Sequence, residues 1–216
     1  KQAPNLSSTV KLICREADCK ISEESSFICD EREGKRKQYY QSGKIKLEEN
    51  YHSDDRIGPS ITYFESGKIK STGNYIDGKK EGIWKSSFEN DSLEQFGAFI
   101  KGKPTGPWKW YYPSGRLRRE ETYDNGKESG IMKEYSDDGT VLAEGNYING
   151  EQDGQWKFNN GEYLAEGNYV EGREDGAWKE YYLDGKISFE GEFLDGQETG
   201  VHKFYWPNGK LHEERV

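Results

Sequence analysis

The sequence predicts an all-β fold, an elongated, twisted antiparallel sheet of about eight tandem β-hairpin repeats. A glycine opens each repeat, a two-residue turn signal follows, and aromatic and polar residues alternate on either side of the turn. Such a period is typical of proteins whose repeats bury their apolar sides only against their neighbours. The leading glycines are spaced by 24 residues, with one step of 22. They are Gly34, Gly58, Gly82, Gly106, Gly130, Gly154, Gly176 and Gly200.

The chain before the repeats has a different pattern. Residues 1–30 are predicted to form an N-terminal cap, because terminal repeats need a special cover, and residues 31–216 are predicted to form the repeat domain. Residues 9–14 and 26–29 are candidate strands. The three cysteines, Cys14, Cys19 and Cys29, all lie in this segment. These cysteines could form one disulfide and leave one free thiol, or all three could be free thiols. A disulfide would indicate an oxidising compartment. We favour an extracytoplasmic location over a cytoplasmic one.

Each repeat is predicted to be a hairpin whose turn occupies positions 8 and 9, counted from the leading glycine as position zero. Asn-Gly and Asp-Gly turns favour type I′, because both central residues need positive φ. In the 22-residue repeat the turn is predicted to move to Gly161 and Glu162 and to become type II′, since glycine comes first. The full-length turn pairs include Ser42-Gly43, Asp138-Gly139, Asp184-Gly185 and Asn208-Gly209.

This turn position fixes the pairing of the two strands. Position 3, usually Lys, falls opposite position 14, often Glu, and opposite charges across a strand pair stabilise a sheet modestly. Position 2, often Trp, falls opposite a glycine at position 15, and an aromatic ring is expected to cover that glycine. The predicted pairs include Lys109–Glu120, Lys133–Glu144, Lys157–Glu166, Lys179–Glu190, Trp84–Gly97, Trp156–Gly167 and Trp178–Gly191.

Strand alternation predicts two unlike faces. Positions 2, 4, 6, 11, 13, 15 and 17 form the aromatic face, and positions 3, 5, 12, 14 and 16 form the Lys–Glu face. Because no helix is available to cover the aromatic face, we expect its rings partly to pack on one another and partly to bind a partner. The predicted partner-binding residues are Trp84, Trp108, Tyr112, Trp178, Tyr182 and Phe193.

The repeat has a recognisable consensus, carried best by GAWKEYYLDGK from Gly176 and by FEGEFLDG from Phe189. It resembles the MORN repeat family, and more closely the bacterial MORN variant of YwqK-type antitoxin-like proteins, over roughly residues 33–216. Met132 and His202 depart from it at the Trp position. The resemblance implies a twisted sheet of hairpins that serves as a non-catalytic scaffold for protein, or sometimes lipid, contacts. It does not identify the partner, because a fold does not settle function.

Composition excludes several classes of function. The net charge of −9 argues against nucleic-acid binding and is compatible with a basic partner. No apolar run reaches the length of a membrane span. Enzymatic activity is not expected, because the polar residues are periodic, whereas an active site is a single asymmetric cluster. No cofactor is expected, and the acidic loops, such as residues 77–81 and 149–153, indicate tight turns rather than calcium sites.

The predicted function is therefore a non-catalytic scaffold that binds a partner protein. The resemblance favours an antitoxin- or immunity-like role, with a toxin or effector as the partner. Two alternatives stay open: a scaffold that binds lipid or a membrane surface, and a structural protein that self-associates.

Overall fold

The protein is described from a computed structural model, which covers residues 8–15 and 20–216. Within those residues every regular element is a β-strand and none is a helix, which confirms the predicted all-β class. The chain divides into two compact units, Lys1–Thr105 (the N-terminal unit) and Gly106–Val216 (the C-terminal unit).

The described strands are short and similar in length. In the N-terminal unit they are β1 (Ser8–Arg15), β2 (Lys20–Ile28), β3 (Glu31–Tyr39), β4 (Ile45–His52), β5 (Asp55–Tyr63), β6 (Ile69–Ile76), β7 (Lys79–Ser87) and β8 (Leu93–Ile100), and β9 (Lys103–Tyr111) begins there. In the C-terminal unit they are β10 (Leu117–Asp124), β11 (Lys127–Glu128), β12 (Gly130–Tyr135), β13 (Val141–Ile148), β14 (Glu151–Asn159), β15 (Tyr163–Val170), β16 (Arg173–Glu174), β17 (Gly176–Tyr182), β18 (Ile187–Leu194), β19 (Gln197–Tyr205) and β20 (Leu211–Arg215).

Every pairing within a unit is antiparallel and joins strands that are close in sequence. In the N-terminal unit each strand from β1 to β7 pairs with the next. The C-terminal unit continues this pattern from β9 to β20, with the two-residue strands β11 and β16 paired beside β12 and β17. The predicted hairpin repeats are confirmed.

The type I′ turns lie between repeats, not inside them as the sequence analysis predicted. Asp77 and Gly78, for example, have φ values of 48° and 73°. Both central residues of a type I′ turn require positive φ, and the loops between repeats, unlike the turns inside them, provide two such residues. The amide of Gly78 also donates to the carbonyl of Arg56 in the preceding repeat, at 3.0 Å. Equivalent bonds from Asp54, Gly102, Gly150, Gly172 and Gly196 join successive loops within each unit.

The turn inside a full-length repeat is a three-residue loop. Gly43, with φ of 82°, donates its amide to Tyr40, and Tyr40 donates to Lys44, as in a type I turn closed by a glycine bulge. Only the glycine has positive φ, so the predicted type I′ turn is wrong here. The short repeat differs as predicted: Asn160 bonds directly to Tyr163, and of the two central residues only Gly161 has positive φ, which fits type II′.

The predicted strand register is confirmed for the Lys–Glu and Trp–Gly positions. One extra residue near the turn, however, changes two face assignments. Gln38 pairs with Leu47 but Tyr39 pairs with Ile45, which leaves the residue at position 12 without a partner. Position 11 therefore lies on the Lys–Glu face, and position 12 lies with the aromatic residues. The Lys70 ammonium, at position 12, is 5.5 Å from the ring of Phe64.

The leading glycines are explained by their backbone conformation. Gly58 and Gly106 have φ of 67° and 65°, and a methyl group at either would meet nothing within 4 Å. Positive φ, rather than lack of space, excludes other residues at these positions. These glycines lie where consecutive repeats fall out of register, as between Glu48 and Asn50 in the pairing of β4 with β5.

The segment before the first repeat forms a hairpin of β1 and β2, and β2 pairs with β3. The strand predicted at residues 9–14 lies within β1, whereas the second strand begins at Lys20, earlier than predicted. The capping role stays a prediction. Cys29 is exposed, with a free thiol, in the turn after β2. The side chains of Cys14 and Cys19 lie outside the described residues, so the disulfide question stays open.

Candidate binding surfaces

Tryptophan rings join consecutive repeats on the aromatic face. The ring of Trp178 lies directly on Gly167 of the preceding repeat, 2.1 Å from where a β-carbon would be. Its indole N–H donates to the carbonyl of Asn168 at 3.3 Å. The same arrangement places Trp84 on Gly73 and Trp156 on Gly145. These contacts bury Trp156 almost completely, with 1% of its surface exposed.

This packing corrects the prediction that Trp178 covers Gly191 and that Trp84 covers Gly97. Trp178 and Gly191 are paired in the backbone, but the ring leans toward the opposite neighbour. The space above Gly191 is already filled by Phe189 and by His202 of the next repeat. A ring at position 2 can cover only one of its two flanking glycines, and sequence spacing alone does not show which.

His202 takes the place of tryptophan in the last repeat. Its ring lies against Gly191, it is 2% exposed, and its Nε2 is 2.9 Å from the carbonyl of Glu192. The carbonyl can only accept, so Nε2 carries the proton. This is the bond that the indole N–H makes at Trp84, Trp156 and Trp178. The departure from the consensus therefore preserves the contact between repeats.

Two repeats carry glutamate instead of glycine at position 15, and both carboxylates are buried. Glu121 accepts from Arg119, with Nε at 2.8 Å, and from the Tyr123 hydroxyl at 2.5 Å. Burial, followed by this bond, raises the pKa of Tyr123. In the N-terminal unit Arg36 bridges Glu23 and Glu49.

The residue that follows each of these glutamates at the tryptophan position is not aromatic. Ser60 follows Glu49 and Met132 follows Glu121, and both are buried. A glutamate side chain occupies the space that a ring would need. The sequence analysis treated Met132 as a departure and missed this pairing, although the two positions lie only 11 residues apart.

In the C-terminal unit the rings from Tyr147 to His202 form a continuous series of contacts. The Phe158 ring stacks between Trp156 and Trp178, with centroid distances of 5.7 and 6.4 Å. Tyr169 packs edge-on against both tryptophans. The rings therefore hold the repeats together.

The predicted partner-binding residues lie on this aromatic face. Trp108 and Trp178 are buried, whereas Trp84 and Phe193 are half-buried. Tyr112 and Tyr182 are half-buried near the turns, and their hydroxyls donate to the carbonyls of Tyr135 and Tyr205 at 2.8 and 2.6 Å. Each predicted residue thus has a packing role, and its role in binding stays a prediction.

The Lys–Glu face carries a ladder of carboxylates that runs across the repeats. Glu120 contacts Lys109 of its own repeat at 3.1 Å and accepts from the Tyr135 hydroxyl of the next repeat, also at 3.1 Å. The carboxylate raises the pKa of Lys109, while burial and then this bond raise the pKa of Tyr135. Lys179 lies opposite Glu190 as predicted, but the two form no ion pair among those of the described residues.

Exposed aliphatic side chains also lie on the Lys–Glu face, which the sequence analysis missed. Ile131 at position 1 is 66% exposed beside Lys109 and Lys133, and Leu194 at position 18 is 64% exposed. Leu194 follows Glu190 and Glu192 on the same side of β18. Ile148, Val170 and Val201, at positions equivalent to 18 or 1, are exposed in the same way in the C-terminal unit. The predicted face assignments had left out positions 1 and 18.

The two units differ in charge. The N-terminal unit has 18 Lys and Arg against 17 Asp and Glu, whereas the C-terminal unit has 13 against 23. Their net charges are therefore +1 and −10, which together give the −9 of the chain. The excess negative charge belongs entirely to the C-terminal unit.

The family model of the MORN repeat variant matches six segments of the chain, which together cover more than half of it. The chain belongs to the MORN repeat variant family. The matched segments are residues 32–53, 56–77, 104–125, 128–149, 174–195 and 198–215, and they omit the third repeat and the short repeat. No curated protein matches the chain.

MORN repeats form scaffolds that are commonly used for binding and are usually not enzymes. The described residues give no positive evidence of catalysis, and they contain no group of three or more His, Cys, Asp or Glu that could hold a metal ion. Of the histidines, His52 contacts Glu33 on the surface, His202 is buried, and His212 packs against Trp206. In the described part of the chain, no helix has the length and hydrophobicity to cross a membrane.

Proposed function

We propose that this protein is a non-catalytic scaffold that binds a partner protein, in an antitoxin- or immunity-like role, through the Lys–Glu face of its C-terminal unit. The observation that carries this proposal is the exposed aliphatic set, represented by Ile131 and Leu194. Large exposed aliphatic side chains rimmed by charge are characteristic of protein interaction sites.

The charge of the C-terminal unit supports a basic partner surface. Its net charge of −10 would attract such a surface, and electrostatic complementarity increases the rate and the selectivity of association. The same charge works against anionic membranes. A toxin or effector with a basic face is therefore the partner that we propose.

The aromatic face supplies a second candidate contact through Tyr112 and Tyr182. Their rings are half-buried near the turns, where they pack and still reach solvent. Tyrosine is favoured in interfaces because it combines apolar area with a hydroxyl. If this face binds, Tyr112→Ala and Tyr182→Ala will weaken partner binding more than they weaken folding.

The test is affinity capture with the purified full chain, followed by mass spectrometry. The double variant Ile131→Ser/Leu194→Ser should capture at least tenfold less partner than the wild type, while its melting temperature is unchanged. Ile83→Ser is the matched control, because Ile83 occupies the same repeat position in the neutral N-terminal unit and is equally exposed. It should capture as the wild type does.

Other outcomes would contradict the proposal. Equal capture by the Ile131→Ser and Leu194→Ser variant, combined with loss of capture by the tyrosine variants, would move the site to the aromatic face. If the chain floats with neutral liposomes and captures no protein, its partner is lipid rather than protein.

A further inference from the structure

A row of tyrosines on the Lys–Glu face is interrupted at Ser87 of the third repeat and at Asn159 of the short repeat. In the second, fifth, seventh and eighth repeats a phenol hydroxyl donates to the glutamate fifteen residues before it, with Tyr135 bound to Glu120. The other such pairs are Tyr63–Glu48, Tyr181–Glu166 and Tyr205–Glu190, at 2.7 to 2.8 Å. The corresponding residue of the short repeat is Asn159, fifteen residues after Glu144. Glu144 keeps Lys133 at 3.1 Å but has no phenol donor among the described residues.

Asn159 does not fill the space of the missing ring. Its side-chain oxygen accepts from the amide of Gly161 at 2.9 Å, which holds it at the turn. A groove of about 380 Å³ opens beside it. The groove lies where most other repeats carry a ring at position 5, and Leu164, which pairs with Asn159, lines it.

The walls of this groove match the surroundings of the other tyrosines. Val141 and Leu164 provide apolar contact, Tyr181 borders one side, and Glu144 provides an acceptor. Lys157 also borders the groove, and its ammonium forms no ion pair among those of the described residues. The groove therefore combines space for an aromatic ring with a carboxylate placed to accept from it.

We propose that this groove binds a tyrosine side chain carried by a basic segment of a partner protein, with the phenol donating to Glu144 as Tyr135 donates to Glu120. The net charge of −10 on this unit favours basic residues on either side of that tyrosine. The inference rests on the proposed function, because it specifies the partner's contact residue. It differs from the exposed aliphatic set, since the site is a single slot in one repeat.

The probe is the capped peptide Lys-Lys-Tyr-Lys-Lys, titrated into the full chain and followed by amide NMR shifts. The controls are the same peptide with Phe or Ala in place of Tyr. We expect the tyrosine peptide to shift the amides of Val141, Leu142 and Leu164, and to bind at least fivefold more tightly than either control. The difference in affinity between the Tyr and Phe peptides measures the contribution of the phenol hydroxyl.

Two variants of the chain test the slot directly. Asn159→Tyr places the chain's own ring in the groove and should lower the affinity for the tyrosine peptide at least tenfold. Ser87→Tyr is its matched control, because Ser87 lies at the same position of a repeat in the other unit, and it should bind as the wild type does. Glu144→Leu removes the acceptor and should lower the affinity for the tyrosine peptide to that for the phenylalanine peptide. Thermal melts confirm that each variant is folded.

The outcomes separate this inference from the proposed function. Equal affinity for the tyrosine and alanine peptides, or wild-type affinity in Asn159→Tyr, would overturn the slot. If Asn159→Tyr still captures the partner while the peptides fail to bind, the slot is wrong and the scaffold function stands. If the tyrosine peptide binds as expected but no partner protein is captured, the slot stands and the proposed function fails.

Discussion

Two kinds of contact join consecutive hairpins on the aromatic face. At Gly167 and Trp178 a large ring lies flat on a bare backbone, and its N–H bonds to a carbonyl. At Glu23, Arg36 and Glu49 a guanidinium bridges two buried carboxylates instead. The first contact is stabilised by burial of apolar surface, and the second by charge-assisted hydrogen bonds.

The difference shows that the residue at position 15 of one repeat determines which side chain fits at position 2 of the next. A glycine admits Trp178, whereas Glu49 is followed by Ser60 and Glu121 by Met132. The unit of packing is therefore the junction between two hairpins rather than the hairpin itself. Substitutions should act at that junction, since the stability of a repeat protein depends on nearest-neighbour interfaces.

The largest effect is expected for Trp178→Ala, which removes the ring from the junction. Loss of a buried tryptophan should lower the free energy of unfolding by about 3 kcal/mol, as measured in denaturant melts. Hydrogen exchange should rise in β15 and β17 and stay at the wild-type level in β5 and β6. A loss below about 1 kcal/mol would mean that the ring does not hold the junction.

Gly167→Ala should have the next largest effect, because the added methyl group would lie 2.1 Å from the Trp178 ring. Overpacking of this kind costs about 2 to 3 kcal/mol. The control is Gly191→Ala, where the nearest atoms, belonging to His202 and Phe189, are 2.8 Å away. The control should lose less stability, and an equal loss in the two variants would contradict the account of the ring position.

The charged junction should be sensitive to acid. Arg36 lowers the pKa of Glu23 from 4.5 to about 2. A carboxyl whose pKa falls on folding stabilises the protein fully above its unfolded pKa, and that stabilisation is lost as the pH falls toward the folded pKa. Hydrogen exchange in β2 and β3 should therefore show stability falling between pH 5 and pH 2. Glu23→Gln should flatten this dependence, and an unchanged slope would show that Glu23 is not responsible.

The smallest effect is expected on the Lys–Glu face. Lys109→Ala removes an exposed pair with Glu120, and such pairs typically contribute under about 1 kcal/mol. Denaturant melts at low and high salt should differ little from the wild type. A loss comparable to that of Trp178→Ala would contradict the division of roles between the faces.

Much of the fold followed from the sequence because periodic residues report the backbone. The 24-residue spacing gave the repeats, and the pairing of Lys109 with Glu120 gave the strand register. The type I′ turns were predicted in the wrong loop because Asp-Gly pairs occur both inside the repeats and between them. Only the φ values distinguish the type I′ turns from the glycine bulges.

The candidate binding surfaces were harder to predict, for two physical reasons. A single unpaired residue near the turn of each full-length repeat moves position 11 to the other face, and strand alternation does not reveal a bulge. A ring flanked by two glycines can also lean either way, so the covering of Gly167 by Trp178 is a result of packing rather than of spacing.

The most direct test is a double-mutant cycle on Gly167→Ala and Trp178→Met, in which methionine repeats the natural choice beside Glu121. If the junction is the unit of packing, methionine should accommodate the added methyl group. The two substitutions together should then cost about 2 kcal/mol less than the sum of their separate effects. Additive losses in denaturant melts would contradict the claim that position 15 selects position 2.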